Sequence, residues 1–137
     1  MIERGDQITK NFNIDEFFTH QNQFDQQSWD YLNKQMHVFQ NRIFNAITVR
    51  ANNLQKLRDQ WGKVIHIDSG YRCPAVNTAV GGKPDSFHLK GMASDIVVEG
   101  MTPKEVQLAL YNWTGGLGSY QTFTHIDDRP YRARWSG

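Results

Sequence analysis

The sequence feature that most constrains the fold is an apolar stripe with helical spacing over residues 27–61. Apolar and aromatic side chains recur there every three or four positions, which is the period of an amphipathic helix that buries one face. The members of the stripe are Trp29, Leu32, Met36, Phe39, Ile43, Ile47, Leu54, Leu57 and Trp61. We predict one main helix in this stretch, with a break near Asn45 or near residues 52–53, and we assign the stripe to the core.

Short β-type runs follow the helical stretch and predict the strands of a sheet. Residues 64–68 alternate between apolar and polar side chains, and residues 93–98 form a largely apolar run. Two further runs, at 116–120 and 122–127, predict a hairpin, and residues 132–135 predict a final edge strand.

Helix signals between these strands are few and short. Pro74, at a first helical position, predicts a short helix that ends before the glycines at 81–82. Thr102, followed three positions later by Glu105, is a capping box that predicts a helix near 103–112.

The order of elements, with helices first and then strands joined by short connections, is typical of the α+β class. We predict one domain over residues 1–137, with a small antiparallel sheet and helices packed on one side of it. In the N-terminal arm, about residues 1–24, Asn13 predicts the start of a short helix near 14–19. We expect the aromatic residues of the arm to attach it to the body.

Composition excludes several classes of function. The chain has 15 lysine and arginine residues against 14 aspartate and glutamate residues, so its net charge of +1 gives no strong basic field for nucleic acid. It has no apolar run long enough to span a membrane, and its single cysteine, Cys73, excludes an internal disulfide. The N-terminal residues lack the apolar core of a signal peptide. We expect a monomer with no nucleic-acid partner, no membrane insertion and no signal peptide.

Three side chains in the second half of the chain predict a metal site. Asp95 opens an apolar run, and a carboxylate that enters a buried strand is costly unless it is paired or bound to a metal. His88 lies on the preceding loop, and His125 lies in another β-type run. Two histidines and one aspartate suit zinc with a fourth position open. The alternative is that His88 is an ordinary loop residue and Asp95 a turn or cap residue.

Several motifs occur in a fixed order along the chain. They are Ser69-Gly70-Tyr71-Arg72 with Pro74 and Asn77, then Ser86-x-His88-x-x-Gly91-x-Ala93-x-Asp95, then Phe123-Thr124-His125-Ile126-Asp127, and a closing Arg132-Ala133-Arg134-Trp135. In this order they closely resemble the zinc D-Ala-D-Ala carboxypeptidase and murein endopeptidase family, peptidase family M15, in its small branch with a His-x-Asp segment. The resemblance covers roughly residues 8–135, and the ordered set is far more specific than any single motif.

The resemblance implies a fold, a cofactor and a substrate class. The implied fold is the small α+β zinc-peptidase fold that is shared with the Hedgehog signalling domain. The implied ligands of a Zn²⁺ ion are His88, Asp95 and His125. Arg72 is implied as a contact to a substrate carboxylate or oxyanion, and Ser86 as a contact to the substrate peptide. The implied substrate is the peptide part of bacterial peptidoglycan.

The chain departs from well-known branches of the family where proton transfer is expected. Those branches have a catalytic Glu or Asp three positions before the last ligand, or a His two positions before it, and this chain has Thr122 and Phe123 there. The nearest substitute is Asp127, which lies on the same strand face as His125. We predict that Asp127 is the catalytic base, with the alternative that it orients a ligand histidine.

The other predicted contacts also have structural alternatives. Arg72 has the alternative of a salt bridge to Asp68 or Asp95. Ser86 has the alternative of a loop cap.

The sequence therefore predicts a zinc-dependent metallopeptidase of the carboxypeptidase or endopeptidase type. Its expected substrates are the stem or cross-link peptides of peptidoglycan. Its expected role is that of a phage-type lysis protein, made in the bacterial host cytoplasm and acting on the cell wall in the periplasm. The alternative function is a catalytically inactive, zinc-stabilised module that binds peptidoglycan or belongs to a phage structure, and a non-catalytic Hedgehog-like signalling domain is a third, weaker one.

Overall fold

A computed structural model describes residues 2–137 of the chain. Within these residues the helices and strands are α1 (Asn22–Asn33), α2 (His37–Trp61), β1 (Ile65–Ser69), α3 (Pro74–Ala79), β2 (Ala93–Val98), α4 (Pro103–Ala109), β3 (Gly116–Ser119), β4 (Thr124–Asp127) and β5 (Ala133–Ser136). Two short 3-10 helices, Ile14–Phe17 and Phe87–Lys90, complete the secondary structure of this range. The predicted α+β class is confirmed. No helix within residues 2–137 is both long and apolar enough to cross a membrane.

The five strands form one sheet in the order β1-β2-β4-β3-β5. The first four strands pair in antiparallel fashion, but β5 runs parallel to β3, so the sheet is mixed and not wholly antiparallel as the sequence predicted. The difference arises because residues 128–132 return the chain to the start of β3, where the Ala133 N–H donates to the Gly115 carbonyl at 3.2 Å. A short edge strand carries no sequence signal of its direction.

One face of the sheet is covered by helices. Alternate residues of the strands point to this face, where they form one buried core with side chains of α2 and α4. The core on this side includes Ile43, Ile47 and Leu54 of α2, Val106 of α4, and Ile65, Ile67, Ile96, Val98, Leu117 and Ile126 of the strands. The other face of the sheet, which we call the polar face, bears the polar residues of the predicted site.

The predicted main helix is divided into α1 and α2, and the predicted position of its break was wrong. The break lies at residues 34–36, and Met36 precedes α2 in an extended conformation with its side chain 79% exposed. The side-chain amide of Gln40 donates to the carbonyls of Leu32 and Gln35 at 2.8 and 2.9 Å, which replaces helical hydrogen bonds lost at the break. Asn45 is exposed inside α2, where its weak helix propensity costs little.

The N-terminal arm packs against the segment that follows β1. Asn13 and Glu16 form a capping box at the start of the first 3-10 helix, and the aromatic side chains around it are buried. The backbone N–H of Gly70 donates to the Phe18 carbonyl at 2.7 Å. A Cβ atom at position 70 would lie 2.3 Å from the Phe17 carbonyl oxygen, so only glycine allows this approach. The arm thereby fixes the chain immediately before Arg72.

Candidate metal centre

One row of residues in register crosses all five strands and contains two of the predicted metal ligands. From β1 to β5 the row, which we call the site row, consists of Ser69, Asp95, His125, Gly118 and Trp135. Directly opposed residues share a face of the sheet, with Cβ atoms about 5 Å apart. Strand register therefore brings Asp95 beside His125, although the two residues are 30 positions apart in the chain.

The third predicted ligand, His88, comes from the short 3-10 helix Phe87–Lys90. Ser86 caps this helix, because its hydroxyl accepts a hydrogen bond from the His88 N–H at 3.2 Å. Gly91, with φ of 70°, ends the helix in the left-handed region. The His88 carbonyl accepts from the Arg72 N–H at 3.2 Å. The sequence predicted only a loop here, and the contact of Ser86 is the cap that was its structural alternative.

The three predicted ligands converge on one point. Nε2 of His88 lies 3.3 Å from Oδ1 of Asp95, and Nδ1 of His125 lies 3.0 Å from the same oxygen. Each of the three residues offers one ligand atom, and these atoms all lie within 4.8 Å of one another. All three side chains are buried, with exposures of 3%, 8% and 8% for His88, Asp95 and His125.

The hydrogen bonds behind the two imidazoles fit a cation. Nδ1 of His88 lies 2.7 Å from the Gly70 carbonyl oxygen, which can only accept, so this nitrogen carries the hydrogen and Nε2 presents a lone pair. Nε2 of His125 donates to the Asp127 carboxylate at 2.8 Å, so in the neutral ring Nδ1 presents a lone pair. Two lone pairs then face the Asp95 carboxylate. Three acceptors at such short distances require a proton or a metal ion between them.

The pKa values of the three candidate ligands reflect two opposing effects, their burial and their interactions with one another. Burial raises the pKa of Asp95, but its interactions with His125 and His88 outweigh this effect, so the pKa lies well below its usual value. Burial lowers the pKa of His125, but hydrogen bonds to Asp127 and Asp95 outweigh it and raise the pKa. Burial lowers the pKa of His88 by more than Asp95 raises it. The Asp95 carboxylate therefore interacts favourably with both imidazoles.

Asp127 lies behind His125 and is completely buried. Its Oδ2 accepts from His125 Nε2 at 2.8 Å and from the Arg129 guanidinium at 2.7 Å. Its Oδ1 accepts from Arg129 Nε at 2.8 Å, from the Gly116 N–H at 3.0 Å and from the Arg129 N–H at 3.1 Å. Asp127 shares a face with His125, as predicted, but its two oxygens are engaged on the side of the ring away from Asp95. This geometry favours the orienting role over the role of catalytic base.

Arg72 lies beside the other oxygen of Asp95. Its terminal nitrogen is 3.6 Å from Asp95 Oδ2, and its Nε donates to the Ser69 hydroxyl at 3.2 Å. A terminal nitrogen of Arg72 also donates to the side-chain oxygen of Asn77 at 3.3 Å. Burial lowers the pKa of Arg72, and the charge of Asp95 partly offsets this effect. Of the two alternative acidic partners, the ion pair forms with Asp95, and it places the guanidinium at the candidate centre.

The sequence prediction missed Arg129 in this region and placed Trp135 only in the closing motif. The indole of Trp135 lies over Gly118, since a Cβ atom there would be 2.6 Å from the ring. Its centroid is 5.0 Å from that of His125, and its Nε1 donates to the Tyr120 hydroxyl at 3.0 Å. The signal available for Arg129 was its position two residues after Asp127, while Trp135 ends the closing motif Arg132-Ala133-Arg134-Trp135.

Two imidazoles and a carboxylate, brought together beside an arginine at the polar face of an α+β sheet, are a set of groups that suits the metal ion of a metal-dependent hydrolase. Comparison with known families names the group more closely: the model described as Peptidase M15 matches residues 10–127. The chain belongs to this family, which confirms the resemblance predicted from its motifs, and it is a metallopeptidase. Searches of curated proteins and of solved structures gave no match.

Proposed function

We propose that this protein is a zinc-dependent peptidase that hydrolyses stem or cross-link peptides of bacterial peptidoglycan, as a phage-type lysis protein. The observation that carries the proposal is the convergence of His88 Nε2, Asp95 Oδ1 and His125 Nδ1 in a chain of the M15 family. Neutral imidazoles and a carboxylate are ligands that zinc prefers.

His88, Asp95 and His125 would hold the zinc ion. A zinc ion with three protein ligands supplies Lewis acidity and lowers the pKa of water towards about 7. Asp95 contributes the negative charge, and its lowered pKa favours the ionised carboxylate that a metal ligand requires. The carbonyl of Gly70 and the carboxylate of Asp127 hold the two rings, so their ligand nitrogens need no reorientation.

Arg72 supplies a positive charge next to this centre. Its guanidinium is anchored by Ser69 and Asn77, so it is held in place before a substrate arrives. A fixed donor of this kind stabilises a carbonyl oxygen on which negative charge develops, and it binds a terminal carboxylate equally well. Arg72→Lys keeps the positive charge but loses the paired donors of the guanidinium. We therefore expect it to lower kcat/KM and to leave zinc affinity unchanged.

Two carboxylates compete for the role of proton acceptor. Asp127 is the base predicted from the sequence, but it already accepts five hydrogen bonds. Asp68 is exposed and lies at a β-bulge, between Ile67, which faces the core, and Ser69, which pairs with Asp95. Loss of a base lowers kcat with zinc affinity unchanged, whereas loss of an orienting group lowers zinc affinity first. Asp127→Asn and Asp68→Asn, compared by both measurements, assign the two roles.

Digestion of purified peptidoglycan sacculi tests the proposed activity. Zinc-loaded protein is incubated with sacculi, with and without a chelator, and released fragments are identified by mass spectrometry. We expect chelator-sensitive products, which His88→Ala should not form. Loss of cross-linked peptides identifies an endopeptidase, and release of free alanine alone identifies a carboxypeptidase. Zinc-loaded protein that releases nothing from any peptidoglycan type would contradict the enzymatic proposal.

A second candidate function is the inactive, zinc-stabilised module that binds peptidoglycan or a phage structure. The observation in its favour is that Thr122 and Phe123 occupy the positions of proton transfer in other branches, while Asp127 is engaged with Arg129. This candidate predicts co-sedimentation of the protein with sacculi without release of fragments. The same digestion therefore separates the two functions.

A further inference from the structure

We propose that Arg129 is the positioning residue of the metal centre, and that it holds both ligand histidines, His125 through hydrogen bonds to Asp127 and His88 through contacts with aromatic rings. The inference rests on the proposed zinc binding by His88, Asp95 and His125. It assigns a role to a residue that does not itself face the converging ligand atoms.

The edge of the guanidinium leads to His125 through Asp127. Arg129 donates from Nε to Oδ1 at 2.8 Å and from a terminal nitrogen to Oδ2 at 2.7 Å, so the carboxylate is gripped at both oxygens. This two-point contact fixes the plane of the carboxylate as well as its position. Oδ2 is the atom that accepts from His125 Nε2 at 2.8 Å. The orientation of the His125 ring therefore depends on Arg129 through one intervening group.

The same guanidinium also contacts aromatic rings, one of which lies next to His88. The central carbon of Arg129 lies 4.4 Å from the ring centroid of Phe87 and 4.8 Å from that of Trp135. Phe87 directly precedes His88 in the 3-10 helix, and the Trp135 ring is 5.0 Å from His125. Contacts of a cation with aromatic rings at these distances are stabilising. Arg129 thereby ties the His88 segment to the last strand of the sheet.

The sheet leaves a space for this arrangement. A second row in register consists of Ala93, Asp127, Gly116 and Ala133. The Asp127 side chain therefore has only alanine and glycine as neighbours within this row. A Cβ atom at position 116 would lie 2.4 Å from the Asp127 carboxylate and 2.6 Å from Arg129 Nε. The glycine in β3 is therefore required by the carboxylate and guanidinium that it accommodates.

Zinc affinity is the property that this role predicts. Metal-free protein is titrated in competition with a chromophoric chelator, for the wild type, Arg129→Gln and Arg129→Lys. We expect Arg129→Gln to weaken zinc binding by about 10- to 100-fold, the usual effect of removing a group that orients a ligand. Arg129→Lys keeps the charge but lacks the fork and the planar faces, so we expect it to recover only part of the loss. Arg132→Gln, at an exposed position of the same segment, is the matched control and should bind zinc as the wild type does.

A double-mutant cycle separates positioning from a general structural effect. If Arg129 acts through Asp127, then Arg129→Gln should cost less zinc affinity in an Asp127→Asn background than in the wild type. The absorption spectrum of the Co²⁺-substituted protein should also change in Arg129→Gln, since the ligand geometry is altered. A general structural effect would lower the unfolding temperature of the metal-free protein and leave this spectrum unchanged.

Each possible result tests a different part of the proposal. Wild-type zinc affinity and an unchanged Co²⁺ spectrum in Arg129→Gln would overturn the positioning role while leaving the metal centre in place. Additive losses in the cycle would overturn the route through Asp127. A wild-type chain that binds no zinc would overturn the proposed metal centre itself, and that result is seen before any variant is made.

Discussion

At the scale of single residues, the candidate centre depends on which nitrogen of each histidine carries the hydrogen. His88 offers Nε2 and His125 offers Nδ1, so the two ligands use different ring atoms. The choice is made by groups outside the centre, a backbone carbonyl at Gly70 and a buried carboxylate at Asp127. Their positions follow from the glycine-dependent approach of the arm to residue 70 and from the register of β4 against β3.

Removal of one ligand should abolish tight zinc binding. We expect His88→Ala to weaken zinc affinity by more than about 100-fold, since even outer groups contribute up to that factor. His66→Ala is the matched control, because His66 is exposed and pairs with Glu99 at 2.6 Å, away from the ligands. Chelator competition measures both variants. Equal zinc affinity in His88→Ala and the wild type would show that His88 is not a ligand.

Replacement of Asp127 should destabilise the metal-free protein in a pH-dependent way. Burial raises the pKa of Asp127, but hydrogen bonds from His125 and Arg129 outweigh it, so the folded-state pKa lies well below the unfolded value of about 3.9. A lowered pKa contributes stability above the unfolded value, and this contribution is lost as the pH falls. Asp127→Asn should therefore cost about 3 kcal/mol near pH 7 and progressively less below about pH 4.

Urea unfolding of metal-free wild type and Asp127→Asn at pH 7 and near pH 3.5 measures this difference. Arg132→Gln, which replaces an exposed charge, should show no comparable pH dependence. A stability difference between wild type and Asp127→Asn that is the same at both pH values would contradict the proposed ionisation of Asp127.

The meeting of the three candidate ligands was predictable from the sequence, but the groups that hold them were not. The positions of His88, Asp95 and His125 within ordered motifs sufficed to predict that they meet, and the structure brings them together. The engagement of Asp127 depends on the register that sets Gly116 opposite it, and hydrogen-bond geometry of this kind is not contained in residue spacing. The prediction that Asp127 and His125 share one face of a strand could not decide whether Asp127 is a base or an orienting group.

At the scale of elements, sequence signals worked best where local chemistry decides a boundary. The strand Ala93–Val98 and the helix start at Thr102 were predicted as the structure has them, because an apolar run and a capping box are local signals. The division between α1 and α2 was missed, because it depends on the contact of Gln40 with the preceding helix end. The helical period of the stripe continues across Met36 even though its side chain is exposed.

A buried ion pair links α2 to the segment that follows β4. Arg50 is fully buried, and its guanidinium lies 2.7 Å from Oδ1 of Asp128, which also accepts from Asn53 at 2.9 Å. Burial lowers the pKa of Arg50 and raises that of Asp128, so each charge depends on the other. We expect Arg50→Met to destabilise the protein by about 3–5 kcal/mol, because it leaves a largely buried carboxylate without its partner.

Urea unfolding of Arg50→Met, Asp128→Asn and the double variant checks this expectation. The double variant should be more stable than the sum of the single losses predicts, since it leaves no unpaired charge. Strictly additive losses, or a loss below about 1 kcal/mol in Arg50→Met, would show that the pair is not coupled in this way.

At the scale of the whole molecule, one face of the sheet packs against helices and the other face bears the candidate metal centre. The α2 and α4 side chains cover one face, and the site row lies on the other. The three candidate ligands come from a loop helix, a central strand and its neighbour, so they meet only when the sheet has formed. A metal ion held by them therefore binds the folded chain in preference to the unfolded chain.

Zinc should consequently raise the thermal stability of the whole domain. At free zinc about 1,000-fold above the dissociation constant, binding to the folded state alone contributes about 4 kcal/mol. For a domain of 137 residues, this corresponds to a rise in unfolding temperature of about 12–16 °C. Differential scanning calorimetry with zinc and with a chelator measures the shift, and His88→Ala provides the control that should show a much smaller shift. If zinc and chelator left the wild-type unfolding temperature equal, the three side chains would not form a metal site, because a ligand that prefers the folded state cannot leave its stability unchanged.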